Sequence, residues 1–450
     1  MQSSSAGKEA LEEFFCGTTI LVWGLGREGT SFLQLASGWK DVSLVVTDRV
    51  EPDDARRTLF SRAQWLPEPE AVEQLDRFDW VVKSPGVCVR KFGLSHEACG
   101  KILSQCELLL RFSPGPVVGV TGTKGKSTTA ALLYQMILRS GRSARVVGNF
   151  GTPPLEGFET LSIETFVVCE LSSYQLEFMR ASPHVAVWLN LFPEHLDYHG
   201  GFQEYQKAKA RIALFQKPGD YLIYHGSDAG IQEALTRFPL SSQPIPFDLP
   251  DGRSLPESPF LQGRHNRLNI IAAARAAQLL GIETSAIFAT IQDFQGLPHR
   301  LERVGVFDGI TYYDDAISTV PQATLAALEA IRDTATLILG GQDRGIPYED
   351  FARKLARSSV STLLLLPPSG LRLAKVLSLI DPPFPGNILV VQTLEEAVEE
   401  AFRHTPKGKS CLFSPAAPSA PPFRNFEERG EAFKHLVRAM GSSANRLVGG

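Results

Sequence analysis

Short apolar runs alternate with longer amphipathic stretches along most of the chain. This alternation is typical of strand–helix–strand units built around parallel sheets. The apolar runs that predict strands are 18–23, 44–47, 79–83, 117–120, 165–169, 184–189, 220–224, 309–313, 336–339, 362–366, 388–391 and 410–413. The stretches that predict helices include 130–138, 202–215, 264–280, 321–332 and 394–404. The pattern therefore predicts an α/β protein with mostly parallel sheets.

Two segments interrupt this pattern with loop-like composition, at 112–116 and at 296–300. A chain of 450 residues is long enough for about three domains, each with its own core. We therefore predict domains at 1–114, 115–298 and 299–450.

Composition narrows the class of protein. A net charge of −4 argues against nucleic acid or an anionic membrane as the main partner. The six cysteines are scattered without a CxxC pair, which favours reduced thiols in a cytosolic protein. No apolar run approaches the ~18 residues of a membrane helix, and the N-terminus lacks the blocks of a signal peptide. We expect a cytoplasmic protein that acts as a monomer.

The stretch GVTGTKGKSTTA, residues 119–130, links a predicted strand to a predicted helix. A strand, a Gly-rich turn and a helix N-terminus together direct backbone N–H groups at one point, where an anion can bind. Lys126 can reach the outer phosphates of a nucleotide, and the Ser127 hydroxyl can ligate Mg²⁺. Val120 replaces the glycine of the strict P-loop spacing. The segment predicts an ATP site formed by Gly122, Thr123, Lys124, Gly125, Lys126, Ser127 and Thr128.

A second Gly-rich turn, GLGREG at 24–29, follows the first predicted strand. Asp48 lies 19 residues beyond Gly29, where an acidic residue can hold a ribose. NAD, a UDP group and a turn that binds nothing all fit this pattern. The turn at 84–86 could present N–H groups to a ligand, although simple chain reversal is favoured.

Polar residues follow two strands of the predicted middle sheet. Glu170 ends one strand, and Asn190 ends the next, followed by His195. Ligands bind at the carboxyl ends of parallel strands, so we expect a site there.

Several further motifs accompany the Gly-rich turns. They are ELSSYQLE, LNLFPEHLDYHG, YQKAKARI, GRHNRLN, GLPHRLE and NFEERGEAF. With GVTGTKGKSTT, they make the chain strongly resemble the Mur ligases, ATP-dependent amide-forming enzymes of peptidoglycan synthesis. The resemblance spans nearly the whole chain. It implies a Rossmann-like N-terminal domain that binds UDP, a central P-loop domain that binds ATP, and a Rossmann-like C-terminal domain that binds an amino acid.

The resemblance also implies an activity. ATP would phosphorylate the alanyl carboxylate of UDP-N-acetylmuramoyl-L-alanine, and the amine of glutamate would attack the acyl phosphate. D-glutamate is the expected amino acid, with L-glutamate as the alternative. A folylpolyglutamate-synthase-like ligase fits less well, because that enzyme begins with its ATP domain. A non-catalytic nucleotide-binding module and an NAD-dependent oxidoreductase are remoter alternatives.

Matching positions imply roles for individual residues. The resemblance assigns catalysis to Lys126, His195 and Lys209. It assigns two Mg²⁺ ions to Ser127, Glu170, His195 and a carbamylated Lys209. It adds Asn269, Arg300 and Asp315 to the ATP site. It assigns the UDP substrate to Gly24, Gly26, Arg27, Glu28, Gly29, Asp48, Ser84, Pro85, Gly86 and Asn149. It assigns glutamate to Thr319, Arg344, Ser419 and Phe426.

The chain departs from the family near the expected amino-acid pocket. Ile317 and Arg344 stand where the family has lysines, and the segment 414–419 reads SPAAPS in place of the usual SPACAS. An arginine is a planar, forked donor and does not replace a lysine point charge conservatively. These changes leave the enantiomer of glutamate open.

Overall fold

The structure, a computed structural model, describes residues 5–52, 57, 60–261 and 263–447, with side chains from residue 6 to residue 442. They form three β-sheets, and the chain divides into two compact units between Phe294 and Gln295. The first unit holds two sheets and the second unit holds the third. The predicted bounds of three domains remain a prediction.

The first sheet has five parallel strands in the order β3-β2-β1-β4-β5. Its strands are β1 (Thr19–Trp23), β2 (Ser43–Thr47), β3 (Ala63–Trp65), β4 (Trp80–Lys83) and β5 (Ile102–Leu103). The accompanying helices are α1 (Ser5–Phe15), α2 (Arg27–Ala36), α3 (Glu68–Glu73), α4 (His96–Gly100) and α5 (Gln105–Phe112). Residues 20–23 of β1 are apolar and buried because both faces of the sheet are covered there, as in other parallel sheets.

The second sheet has six parallel strands in the order β11-β10-β9-β6-β8-β7. Its strands are β6 (Val117–Thr121), β7 (Ala144–Gly148), β8 (Phe166–Glu170), β9 (Val185–Trp188), β10 (Tyr221–His225) and β11 (Gln243–Phe247). The helices are α6 (Lys126–Arg139), α7 (Ser173–Leu176), α8 (Leu196–His199), α9 (Phe202–Leu214), α10 (Ala229–Arg237), α11 (Arg264–Leu279) and α12 (Thr284–Asp293). β6 lies inside the sheet, so the loop after it meets the ends of both neighbouring strands.

The third sheet has six strands in the order β12-β13-β17-β14-β15-β16, and only the β12–β13 pair is antiparallel. Its strands are β12 (Glu302–Phe307), β13 (Ile310–Asp314), β14 (Thr334–Gly340), β15 (Thr362–Leu366), β16 (Asn387–Val390) and β17 (Ser410–Phe413). The helices are α13 (Pro321–Ala330), α14 (Glu349–Ala356), α15 (Ser369–Leu377), α16 (Leu394–His404) and α17 (Phe426–Leu447).

The fold differs from the sequence-based expectation in five strands and in the start of one helix. The strands β3, β5, β7, β11 and β12 were not predicted. β3 and β5 are only three and two residues long, and β7, β11 and β12 each have a single buried residue, so their apolar signal is weak. Helix α6 begins at Lys126, four residues before the predicted start at 130, because its polar first turn belongs to the Gly-rich loop. Among the described residues, no helix is long and apolar enough to cross a membrane.

Candidate active site

The Gly-rich loop after β6 closes back on itself. Lys126 is the first residue of α6, and its Nζ donates to the carbonyl oxygens of Gly122 and Thr123, each at 3.1 Å. These carbonyls hold the ammonium over the loop, where a bound phosphate can replace them as its hydrogen-bond partner. Val120, which replaces a P-loop glycine, is fully buried in the strand and lies outside the loop.

Helix α11 brings Asn269 against the same loop. Gly125 has φ +86°, and a Cβ added there would lie 2.3 Å from Oδ1 of Asn269. Gly125 is therefore required by its backbone conformation and by this close approach. The predicted ATP residues Gly125 and Asn269 are in contact.

The loop is braced from the end of β9. Asn190 Oδ1 accepts a 2.8 Å hydrogen bond from the Lys124 N–H, and Asn190 Nδ2 donates to the Lys124 carbonyl at 3.0 Å. The Tyr205 hydroxyl donates to Thr123 Oγ1 at 3.1 Å. Sequence reasoning placed Asn190 at this sheet edge but missed Tyr205, which lies on α9 and gives no local signal.

Glu170, the last residue of β8, lies beside this loop with its side chain fully buried. Its Oε1 accepts a 2.9 Å hydrogen bond from Asn149 Nδ2, whereas Oε2 has no hydrogen-bond partner among the described residues. A buried carboxylate oxygen without a donor is costly unless a cation or ligand satisfies it. Hard oxygen ligands of this kind suit Mg²⁺, so Glu170 fits the metal role predicted for it.

Lys209 on α9 is almost completely buried at the same sheet edge. Its Nζ donates to Thr121 Oγ1 at 2.9 Å and to the Gly122 carbonyl at 2.8 Å. Burial, with a further contribution from the Lys126 charge, lowers the pKa of Lys209 well below its ordinary value. A lysine with such a lowered pKa carries a neutral, nucleophilic amine in a larger fraction of molecules than a solvated lysine does.

His195 lies in the exposed turn before α8, with φ +55° and its ring 5.0 Å from that of Tyr174. Desolvation lowers the pKa of His195, with Lys126, Lys124 and Lys209 acting in the same direction. Glu194 opposes this shift, whose net direction favours the neutral ring, the form that ligates metals.

A cavity of about 480 Å³ opens beside the first sheet, and we call it the N-terminal cavity. Nine of the ten residues predicted for the UDP substrate line it: Gly24, Gly26, Arg27, Glu28, Asp48, Ser84, Pro85, Gly86 and Asn149. Gly29 does not line it, because this residue packs against the preceding turn: a Cβ added there would lie 1.8 Å from the Gly24 carbonyl oxygen. Gly29 instead allows the turn to close. Sequence reasoning missed five lining residues: Arg49, Glu68, Val87, Gly148 and Pro153.

Hydrogen bonds hold the two turns of this cavity together. Asp48 Oδ2 accepts from the Leu25 N–H at 2.5 Å, and Ser84 Oγ donates to the Gly24 carbonyl at 2.7 Å. Buried Lys83 donates to the carbonyls of Ser84 at 3.3 Å and Val87 at 3.1 Å. The turn at 84–86 is therefore part of the cavity wall as well as a chain reversal.

Glu28 is the most perturbed acid of the N-terminal cavity. Its Oε1 accepts a 2.7 Å hydrogen bond from Gln175 Nε2, and Oε2 has no partner among the described residues. Burial raises the pKa of Glu28 to about 7, partly offset by Gln175 and by the charge of Lys83.

The remaining predicted ATP residues, Arg300 and Asp315, lie in the second unit. Asp315 follows β13 and is buried, with Oδ2 accepting from Ser414 Oγ at 2.7 Å and Oδ1 from the Leu301 N–H at 3.3 Å. Burial raises the pKa of Asp315 to about 6, opposed by these hydrogen bonds and by Arg300. The backbone thus ties the Arg300–Leu301 turn to Asp315.

Three of the four residues predicted for glutamate lie on loops of the second unit that buried Arg429 joins. Its guanidinium donates to the carbonyls of Ala316 and Ala417, both at 3.1 Å, and to that of Gly340 at 3.4 Å. The predicted residues Thr319, Arg344 and Ser419 follow these three carbonyls within a few residues in the chain. Arg344 is exposed, and Ser419 has a buried Oγ without a partner among the described residues.

Phe426, the fourth residue predicted for glutamate, begins α17, and its ring lies 6.1 Å from that of His299. Sequence reasoning missed Arg429, although it lies within the NFEERGEAF motif.

Two protein-family models match the chain. Residues 120–245 match the Mur ligase middle domain, and residues 299–417 match the Mur ligase glutamate ligase domain. Among curated proteins, the chain is 36% identical to the UDP-N-acetylmuramoylalanine–D-glutamate ligase of Symbiobacterium thermophilum, over 75% of this chain and 79% of that protein. It is 35% identical to the enzyme of that name from Geobacter sp. strain M21, over 93% and 97%.

Solved structures agree at the level of the fold. The UDP-N-acetylmuramate–alanine ligase MurC of Thermotoga maritima is 16% identical with a TM-score of 0.53, covering 94% of this chain and all of that chain. The MurF ligase of the same organism, solved with ADP, is 16% identical with a TM-score of 0.52, covering 95% and 97%. The three-domain α/β architecture and the family resemblance inferred from the motifs are thus confirmed, and the chain belongs to the Mur ligase family.

Proposed function

We propose that this chain uses ATP to join D-glutamate to UDP-N-acetylmuramoyl-L-alanine in cytoplasmic peptidoglycan precursor synthesis. Its relatives at 31–36% identity bear the name of that D-glutamate ligase. The observation that carries the proposal is the carboxylate of Glu170. It is buried beside the Gly-rich loop with one oxygen unpartnered among the described residues, as a phosphoryl-transfer site requires.

The substrates are assigned to the three predicted domains. Residues 1–114, together with Asn149, bind the UDP group in the N-terminal cavity. Residues 115–298 bind ATP at the Gly-rich loop, and 299–450 bind glutamate. The enzyme acts as a monomer on these small molecules. The N-terminal cavity, with its Gly-rich turns and Arg27, suits a nucleoside diphosphate better than an uncharged ligand.

The chemistry activates a poor electrophile. A carboxylate oxygen of the alanyl group attacks the γ-phosphorus of ATP, and ADP leaves. The amine of glutamate then attacks the acyl carbon, the tetrahedral intermediate collapses to an amide, and inorganic phosphate departs with the bonding electrons while the amine loses a proton. Lys126 and the backbone N–H groups of the loop orient the phosphates and offset their charge.

Ser127, Glu170 and His195 would hold Mg²⁺. The bound ion supplies charge neutralisation for the transferred phosphoryl group. Buried Glu170 offers the free oxygen, and the lowered pKa of His195 keeps its ring available.

Lys209 completes this set as a carbamate. Its neutral amine adds to CO₂: an N–C bond forms as one C=O π bond of CO₂ opens, one N–H proton is released, and the neutral amine becomes an anionic carbamate. The lowered pKa of Lys209 supports this step, since only the neutral amine is nucleophilic.

The decisive experiment measures phosphate release from ATP with UDP-N-acetylmuramoyl-L-alanine and either D- or L-glutamate. Release with D-glutamate alone is expected. Release with L-glutamate alone would show that the enzyme selects the L enantiomer, and it would make Ile317 and Arg344 the candidates for that selectivity. Release with neither would refute the substrate assignment.

A further inference from the structure

A second cavity in the first unit has no part in the proposed reaction. It measures about 690 Å³, larger than the N-terminal cavity, and shares no lining residue with it. One wall is the segment 89–100 beside the first sheet, and the other comes from 177–180 and 199–211 beside the second. We call it the cationic cavity. Its size is in the range of small-molecule sites.

The charges that line this cavity are unbalanced. Four cationic side chains, those of Arg90, Arg180, Lys207 and Arg211, face two carboxylates, those of Glu177 and Glu204. The lining also includes His96 and His199. Burial lowers the pKa of His199 to about 4, so this histidine adds no charge near neutral pH. The lining side chains therefore carry an excess of two positive charges.

The two carboxylates offset the lining cations only in part, since Glu177 attracts Arg90 and Arg211 without a close ion pair to either. Glu177 Oε2 accepts a 2.9 Å hydrogen bond from the Tyr198 hydroxyl, and Glu204 lies 4.0 Å from Lys207, at the limit of an ion pair. Arg180 and Arg211 donate to the backbone carbonyls of Ile102 and Met179, respectively. Arg180 Nε also lies 3.6 Å from the buried Glu107 carboxylate, outside the lining, so the anion site relies on the other three cations.

Arg90 is the clearest sign of a binding site. A Cβ added to Gly200 would lie 1.6 Å from Arg90 Nη1, so the guanidinium lies directly over Gly200 in the turn between α8 and α9. Within the described ranges its guanidinium has neither a carboxylate within 4.0 Å nor a hydrogen-bond acceptor. Arg90 is an exposed residue whose guanidinium rests on Gly200, so its donors are open to a ligand as well as to water.

We propose that the cationic cavity binds a small multivalent oxyanion, either inorganic phosphate or the phosphate of a metabolite, held by Arg90, Lys207 and Arg211. A guanidinium matches a phosphate with two parallel hydrogen bonds, and hydrogen bonds between charged groups are the strong ones. The anion would supply the missing acceptor for Arg90 and connect the two walls.

This site is linked to the N-terminal cavity through buried hydrogen bonds. Tyr198, which donates to Glu177 on the wall, has its hydroxyl 3.2 Å from Lys83 Nζ. Lys83 in turn donates to the carbonyls of Ser84 and Val87, two residues of the N-terminal cavity. We therefore expect the anion to change the KM for the UDP substrate.

Isothermal titration calorimetry tests the site on the full chain. UDP-N-acetylmuramoyl-L-alanine and a non-hydrolysable ATP analogue are kept saturating, so that the N-terminal cavity and Gly-rich loop are filled. The probes are inorganic phosphate and ribose 5-phosphate. The test variant is Arg90→Gln with Lys207→Gln. The control, Lys91→Gln with Lys217→Gln, removes the same charge from exposed residues outside the cavity.

Wild type and control should bind a probe, and the test variant should bind at least about tenfold more weakly, since charge-assisted hydrogen bonds are lost. Tighter binding of phosphate or of ribose 5-phosphate identifies the free ion or a phosphorylated metabolite as the ligand. Equal affinity in the two double variants, or no binding of either probe at millimolar concentration, would overturn the proposal. Turnover without added anion should survive in both variants.

Discussion

Replacing Gly125 by alanine tests the contact between the Gly-rich loop and α11. Gly125 has φ +86°, and the new Cβ would lie 2.3 Å from Asn269 Oδ1. Gly141, just beyond the other end of α6, has the similar φ of +80° but no atom within 4 Å of an added Cβ. Gly141→Ala therefore reproduces the backbone strain without the collision, and it serves as the matched control.

The two substitutions should differ by the cost of that collision. A left-handed conformation costs a non-glycine residue ~1–2 kcal/mol, which is the whole effect expected for Gly141→Ala. Overpacking adds ~1–3 kcal/mol, so Gly125→Ala should lose ~2–5 kcal/mol of stability. If Asn269 contacts ATP, its displacement removes a hydrogen bond to a bound ligand worth ~1–3 kcal/mol, and the KM for ATP should rise roughly five- to 150-fold.

Urea unfolding and steady-state phosphate release measure these two effects. Gly141→Ala should leave the KM for ATP unchanged. Adding Asn269→Ala to Gly125→Ala should recover part of the lost stability, since the colliding amide is gone, and this non-additivity identifies the contact. If Gly125→Ala unfolds like Gly141→Ala and keeps its KM for ATP, the placement of Asn269 against the loop is wrong.

Three further predictions concern ionisable side chains of the first unit. Lys126→Ala should abolish phosphate release while circular dichroism shows a folded chain, and retained turnover would contradict the assignment of the loop. Lys209→Ala should lose activity that added short carboxylates partly restore, whereas Lys217→Ala should behave as wild type; failure of the rescue would count against a carbamate. The pKa of Glu28 is about 7 in the folded chain against an ordinary 4.5, so the unfolded chain releases this proton first and stability falls as pH rises between these values. Glu28→Gln should reduce that fall in urea unfolding at pH 5 and pH 7, and an unchanged slope would refute the burial argument.

The sequence predicted best those parts of the site that are formed by residues adjacent in the chain. The Gly-rich loop, the turn at 24–29 and the strand ending in Glu170 are contiguous segments, and their periodicity also indicates the strands and helices around them. The parallel-sheet rule then correctly placed Glu170 and Asn190 at one edge, because carboxyl ends of adjacent parallel strands coincide. The edge strand β12 gave a weaker signal, since only part of it is buried.

Contacts between distant segments gave no comparable signal, and they determine the electrostatics of the site. In the sequence, Lys83 looks like the polar end of a strand. In the structure its ammonium is buried, because four oxygens surround it, three of them carbonyls of the following turn. Arg429 reads as one more charge on an amphipathic helix, yet it joins three loops from separate parts of the third sheet. In both cases the arginine or lysine stabilises backbone carbonyls that no regular structure satisfies, a need that exists only once the loops have met. A buried cation at the carboxyl edge of a parallel sheet therefore indicates loops held in one arrangement for binding, and it can be recognised only after the strand order is known.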